Sequence, residues 1–385
     1  MRGCASLRYY KVYLLFLFVI SMYPWFFWNF PVQYFSPLGA IYTIVLLFKG
    51  EILSHRLKIS STIFLFFVLY QWIDKYNNFF SHIESLSNWI IFLGIFSIKE
   101  EFRAEIISFI TKWFSILLGV SLFFYIIHNL GVSLPSGSIQ RANALKSFTN
   151  YYFFLSIDGQ MRFQSIFFEP GHMTMGLAPL LFLNRYNYRN KYVIILLLAQ
   201  LFSFSLAGYI VMAIGYTYVV LFSSQNNRFW KIVLPVLIFS VFLYLVQLIY
   251  SDDLFNDLIM ARLEWTGTSI AGDDRSGDYL DYVYDRVRNS SSKWTGEEWI
   301  SEKSEKGVAG FKLYFVMYGI IGTLLCIISY IKAVFISRSN LIWKAGLLLI
   351  LFLLLYQNAY PLWWCLLIQL VLGLSYLKST ERNRI

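Results

Sequence analysis

Charge is scarce in this sequence. Asp, Glu, Lys and Arg make up 14% of its 385 residues, where a soluble globular chain carries about 25%. Hydrophobic residues fill 58% of the chain, aromatics alone 20%, and the mean hydropathy is +0.57. That balance excludes an ordinary soluble domain and points to a polytopic membrane protein. Cysteine is nearly absent. Cys4, Cys326 and Cys365 show neither metal-ligand spacing nor a disulfide framework. The sequence also lacks a P-loop, G-x-G-x-x-G, H-E-x-x-H and G-x-S-x-G, so it carries no motif for a nucleotide, a zinc centre or a serine hydrolase. No internal repeat, heptad or low-complexity tract is evident, which weighs against a transporter built from inverted repeats.

What is present is a series of apolar runs, at roughly 12–30, 34–48, 60–73, 86–98, 113–129, 173–184, 192–206, 208–222, 232–250, 311–331, 345–357 and 360–377. Several are shorter than the ~20 residues that cross a bilayer, so their ends are expected to extend into flanking Ser, Asn and Tyr. The reading is an all-α, polytopic integral membrane protein of about twelve transmembrane helices, with residues 1–385 as a single transmembrane domain. The basic N-terminus precedes an apolar run without a small-residue cleavage site, which predicts an uncleaved first span.

The formal net charge of +10 would suggest nucleic acid in a soluble protein. Here the positive-inside rule explains it, and no nucleic-acid partner is assigned. With the N-terminus inside, 20 of the 32 basic residues fall on inner segments, among them Arg8, Lys49, Arg103, Arg185, Arg189 and Lys344. The reverse topology would place basic clusters in nearly every outer turn. The expectation is therefore that both termini lie on the inner, cytoplasmic side. Two long extracytoplasmic loops follow, at 130–172 and 251–310. The second holds 13 of the 22 acidic residues, together with Trp265, Trp294 and Trp299.

The first loop ends in RFQSIFFEPGHM, from Arg162 to Met173. An arginine at mid-bilayer costs at least ~2.5–3.5 kcal/mol, so Arg162 and Glu169 belong outside lipid. Pro170 suits the first helical position, where its missing N–H goes unused. Glu169 then takes the N-cap position, beside free N–H groups and the positive dipole end. One reading makes Glu169 a functional carboxylate pointed into a cavity. The other makes it only a cap, with Arg162 its ion-pair partner. His172, His128 and His82 all fall near the outer face, and His172 is the best placed because it adjoins Glu169. A lone histidine is nevertheless more often structural. Ser203, Ser205 and Gly208 in LFSFSLAGYIVMAIG sit at an outer hairpin, where small residues serve close helix packing.

In the second loop, TSIAGDDRSGDYLDYVYDRVRN (268–289) is rich in Asp and Gly and then becomes amphipathic. Arg275, Arg286 and Arg288 are candidates for phosphate or diphosphate, which a guanidinium binds in bidentate fashion. A solvated loop of mixed charge is the bland alternative. The DDRSGDYLD spacing departs from that of an EF-hand, and no metal or other cofactor is assigned.

The arrangement resembles the O-antigen polymerase (Wzy-type) family, within a wider group of lipid-linked glycan transferases that includes the O-antigen ligases. The resemblance covers nearly the whole chain as architecture. Its specific parts are Arg162, Glu169, Pro170, Gly171 and His172 in RFQSIFFEPGH, the Ser-rich hairpin FSFSLAGY, DDRSGDY, and GFKLYFVMYGIIGTLLC (310–326). Ala207 stands where an arginine is often found. Gly310 and Phe311 stand where the ligases usually carry a histidine, which favours polymerase over ligase. The resemblance implies transfer of a growing glycan from polyprenyl diphosphate onto a new lipid-linked repeat unit at the outer face. A chain-length regulator and a flippase are implied as partners. Glu169 is then the candidate base, with His172 as the fallback. Arg162, Arg275 and Arg286 stabilise the diphosphate, with Arg288 alongside. Trp265, Trp294 and Tyr279 are candidates to stack on sugar faces, although aromatics near an interface are also ordinary anchors. A ligase acting on lipid A-core and a polysaccharide flippase are the alternatives. A flippase would hold its charges within the spans rather than in the loops.

Overall fold

The computed structural model describes residues 2–28, 35–54, 79–140, 147–157, 162–222, 278–297, 310–335, 337, 339–358 and 361–382. These are mostly helical. In chain order the helices are α1 (Arg2–Ile20), α2 (Phe35–Lys49), α3 (Phe79–Ser97), α4 (Glu100–Asn129), α5 (Pro170–Leu183), α6 (Lys191–Phe202), α7 (Leu206–Phe222), α8 (Asp278–Arg288), α9 (Phe311–Phe335), α10 (Leu341–Gln357) and α11 (Trp364–Arg382). Ten of the twelve apolar runs lie on these helices, while 60–73 and 232–250 fall outside the described residues.

Among the described residues, α4 and α9 are long and apolar enough to cross a membrane. At 1.5 Å per residue the 30 residues of α4 span about 45 Å. The shorter helix α2 carries the signature of a lipid-facing element. Its large apolar residues Leu38, Ile41, Val45 and Phe48 are exposed, whereas Ser36, Gly39, Ala40 and Thr43 are buried. In water that polarity would be inverted. Against hydrocarbon it is the stable arrangement, because small residues let helices approach and apolar ones meet lipid.

Local signals set the helix ends. Asn190 and Asn340 cap α6 and α10, accepting hydrogen bonds from the N–H groups of Tyr192 at 3.0 Å and Ile342 at 3.1 Å. Such caps satisfy donors that the helix itself leaves open. Glu100 and Glu101 occupy the first turn of α4, where the dipole favours negative charge. Pro170 opens α5 at its first position.

Two elements form the axis of the bundle. All 14 residues of α5 are buried, and it packs against α6, α7, α10 and α11. Helix α11 touches α1, α3, α4, α9 and α10 as well as α5. Near one pole, Asn184 ties three helices together. Its amide donates to Thr111 Oγ1 at 3.3 Å and accepts from the Tyr376 hydroxyl at 2.7 Å. At the same pole the Arg103 Nε donates to the Ile98 carbonyl at 3.0 Å, and Lys11 pairs with Glu105.

Two departures from the sequence reading appear here. The first run, expected at 12–30, is helical only to Ile20 and then breaks into a turn and the short 3-10 helix Trp25–Phe27. The first long loop is not purely irregular. It contains a three-stranded antiparallel meander, β1 (Gly137–Gln140), β2 (Ser147–Asn150) and β3 (Leu155–Ile157). Strands of three or four residues leave too little alternation to announce themselves.

Candidate functional site

The pole opposite Arg103 gathers the segment from Arg162 to Phe168, the start of α5, the α6–α7 hairpin and the end of α10. The segment is clamped on three sides. Phe163 N–H donates to Phe202 O at 3.0 Å, Leu155 N–H to Ser165 O at 2.8 Å, and Trp25 N–H to Ile166 O at 2.9 Å. Phe163, Gln164, Ser165 and Phe167 are almost completely buried. Irregular backbone at such a place requires partners for its polar groups, and these three bonds supply them.

Four non-glycine residues around this pole hold a positive φ: Tyr23 (56°), Tyr152 (64°), Ser165 (55°) and Phe204 (44°). Each such residue costs of order 1–3 kcal/mol and persists only where its surroundings impose it; strain of this kind concentrates at functional sites.

Glu169 stands at the N-cap position of α5, with φ −145° and ψ 152°, and its side chain makes no capping hydrogen bond. Its carbonyl accepts from His172 N–H at 3.1 Å and Met173 N–H at 3.3 Å, so the backbone caps the turn and the partly buried carboxylate is left over. Among the described residues that carboxylate makes no hydrogen bond and no ion pair. The reading of Glu169 as merely a cap paired with Arg162 therefore does not describe this geometry. Arg162 is half-buried at the head of the same segment.

His172 is buried and enclosed by rings. Trp363 lies edge-on at 4.9 Å, Phe168 at 5.8 Å and Tyr23 at 5.9 Å between centroids. His128 similarly lies 4.3 Å from the Tyr151 ring. The side chain of His82 lies outside the described residues.

Behind Arg162 a buried polar chain fixes α5 to the α6–α7 hairpin. Thr174 Oγ1 donates to Pro170 O at 3.0 Å and lies 3.3 Å from Gln200 Oε1. Gln200 Nε2 donates to Ser203 Oγ at 3.1 Å, and Gly208 N–H donates to Ser205 Oγ at 3.3 Å. A Cβ on Gly208 would fall on Gln200 Nε2 and come within 3.0 Å of Thr174 Oγ1. The close packing expected of that hairpin is thus present, and it carries a polar tie that spacing alone did not reveal.

The second loop is anchored on α9. Leu280, Val283 and Val287 of α8 pack against Leu313 and Val316. Beyond them, α9 is broken at Gly319, where φ is 60° and ψ −163°. The broken stretch takes its partners from the loop: Ile321 N–H donates to Trp294 O at 3.1 Å, and Glu297 N–H to Val316 O at 2.7 Å. Arg286 forms an ion pair with Glu297, and Lys312 pairs with Asp281 at 2.8 Å. Arg288 is exposed with no side-chain partner among the described residues. Tyr279 packs against the α8–α9 cluster, and Trp294 is exposed. Arg275 and Trp265 lie outside the described residues. The structure brings Arg162, Glu169 and His172 to one pole, whereas Arg286, Arg288 and Tyr279 sit on a separate helix against α9.

The sequence reading passed over the α10–α11 hairpin. Trp363 closes on His172, and the amides of Gln357 and Asn358 lie 3.5 Å and 3.9 Å from where a Cβ on Gly171 would stand. A polar pair ending a long apolar run is the signal the sequence carries there. Among the described residues no group of three or more His, Cys, Asp or Glu is placed to hold a metal. No known protein family, curated protein or solved structure matches the chain.

Proposed function

We propose that this protein polymerises lipid-linked oligosaccharide repeat units of a bacterial surface polysaccharide, either O-antigen or capsule. In this reading it spans the inner membrane about twelve times with both termini cytoplasmic, and the Glu169 pole faces outward. The growing glycan leaves polyprenyl diphosphate and joins a new lipid-linked repeat. Glu169 takes the proton from the acceptor hydroxyl as that oxygen attacks the anomeric carbon. The bond from that carbon to the diphosphate breaks, and the lipid diphosphate departs with the electron pair. Arginine stabilises the developing charge; Arg162 is the first choice, with Arg275, Arg286 and Arg288 supplied by the second loop. No cofactor takes part, because the donor is already activated. A chain-length regulator and a flippase are the partners this reading implies.

One observation carries the proposal. A carboxylate stands at the N-terminus of a fully buried helix, unused as a cap and without an ion pair among the described residues. A purely structural glutamate would have taken one of those roles. Against the alternative of a ligase acting on lipid A-core stand Gly310 and Phe311, at the place where ligases usually carry a histidine.

The test is a glycan size profile from a strain lacking the gene, with complementation. A ladder that collapses to acceptor bearing one repeat supports polymerisation. Complete absence of repeats on the acceptor refutes it in favour of the ligase or flippase readings. In complementation, Glu169→Gln and Arg162→Lys are each expected to abolish chain extension at normal expression. Normal chain lengths in either variant would remove that residue from the mechanism.

A further inference from the structure

At the pole that holds Glu169, two buried amide side chains carry polar atoms with no hydrogen-bond partner among the described residues. Gln357 ends α10 and Asn358 follows it as the C-cap. They are 8% and 3% exposed. Among the described residues neither Gln357 Nε2 nor Gln357 Oε1 has a hydrogen-bond partner, and neither does Asn358 Nδ2. The buried Thr174–Gln200–Ser203 chain nearby is satisfied, whereas Gln164 Nε2 and Ser165 Oγ at the same pole are likewise open among the described residues. Buried polar atoms left open in a native fold call for an explanation, and a ligand is one.

Their position supplies the rest. Both amides point at Gly171, in the first turn of α5, two residues beyond Glu169. On the other side the backbone of Gly310, at the end of the second loop, closes over the Tyr356 and Gln357 carbonyls. Phe311 stacks on Tyr356 at 4.8 Å. The amides thus sit where α5, α9 and α10 converge. Gly171 leaves room in front of them that any side chain would occupy.

We propose that Gln357 and Asn358 form a subsite for sugar hydroxyls, positioning the lipid-linked repeat against Glu169. The inference rests on the polymerase reading and names a binding determinant for that same site. The chemistry selects a neutral hydroxylated ligand. Each carboxamide offers two donors and an acceptor, which matches hydroxyls that both donate and accept. A diphosphate would instead call for guanidinium or ammonium, since the amide oxygens face it unfavourably. Gln357 and Asn358 are positioning residues and take no proton.

The test uses the full-length protein in nanodiscs, with polyprenyl-diphosphate-linked single repeats extracted from the deletion strain as the probe. Gln357→Met keeps the shape of the side chain and removes its polar atoms, and Asn358→Leu does the same independently. Thermal unfolding without glycan is read beside steady-state chain extension. If the amides are open for a ligand, each variant unfolds at the same temperature as wild type or higher, since an unsatisfied group has been removed. The half-saturating repeat concentration rises roughly tenfold per variant, in keeping with loss of hydrogen bonds to a bound hydroxylated ligand. The maximal rate stays within about twofold, because uniform binding rather than transition-state stabilisation is lost. Lowered unfolding temperatures with unchanged half-saturation would overturn the proposal by making the amides structural. Unchanged half-saturation at raised stability would overturn it as well. Failure of the wild-type protein to extend the repeats at all would instead refute the polymerase reading, and the subsite with it.

Discussion

Gly319 offers the sharpest test of how the second loop is held. Its φ of 60° and ψ of −163° lie in a region that essentially only glycine occupies. An added Cβ would sit 2.6 Å from the Trp294 carbonyl carbon and oxygen and 2.7 Å from Gly296 N. Those are backbone atoms, so no side-chain rotation relieves the clash. Gly319→Ala therefore has to distort the break in α9 or expel the 290–297 loop. The backbone strain costs about 1–3 kcal/mol. Loss of the Ile321–Trp294 and Glu297–Val316 hydrogen bonds adds about 1 kcal/mol each. A total near 3–5 kcal/mol raises the population with α8 detached by on the order of 10² or more. Limited trypsinolysis reads this directly, because Arg286, Arg288 and Lys293 lie on the detaching segment. Cleavage there is expected to accelerate in proportion to the open population, while sites at the opposite pole are unaffected. Unchanged cleavage at these three residues would refute the argument that the loop is locked onto a glycine-only break.

Gly208→Ala is expected to destabilise the protein by about 1–3 kcal/mol through overpacking against Gln200 and Thr174. Gly137→Ala, where a Cβ meets nothing within 4 Å, is expected to leave the unfolding temperature unchanged. The Arg286–Glu297 pair is half exposed on the arginine side, so a double-mutant cycle on thermal unfolding is expected to give a coupling below about 1 kcal/mol; a value well above that would mean a desolvated pair. His172→Phe preserves a ring among Trp363, Phe168 and Tyr23 and is expected to fold and to support chain extension. Loss of extension at normal expression would instead make His172 the base in place of Glu169.

The helices were legible in the sequence because a long apolar run satisfies its backbone best as a helix. Ten of the twelve runs lie wholly or in part on helices among the described residues. The position of Glu169 at the head of α5 was equally readable, because proline favours the first helical position, where its missing N–H goes unused. The break at Ile20 and the β1–β3 meander were not readable. They depend on partners distant in sequence, such as Ile166 for Trp25 and Ser165 for Leu155.

The same division runs through the candidate site. Residue chemistry singled out Arg162, Glu169 and His172 from one short stretch. Tertiary packing decided their surroundings: no described partner for the Glu169 carboxylate and a ring enclosure for His172. It also placed Gln357 and Asn358, nearly two hundred positions away, against Gly171. Composition and periodicity report what a residue is and which helix carries it. Which side chains end up sharing a buried pole follows from how the helices cross, with close approaches such as those at Gly208 and Gly310.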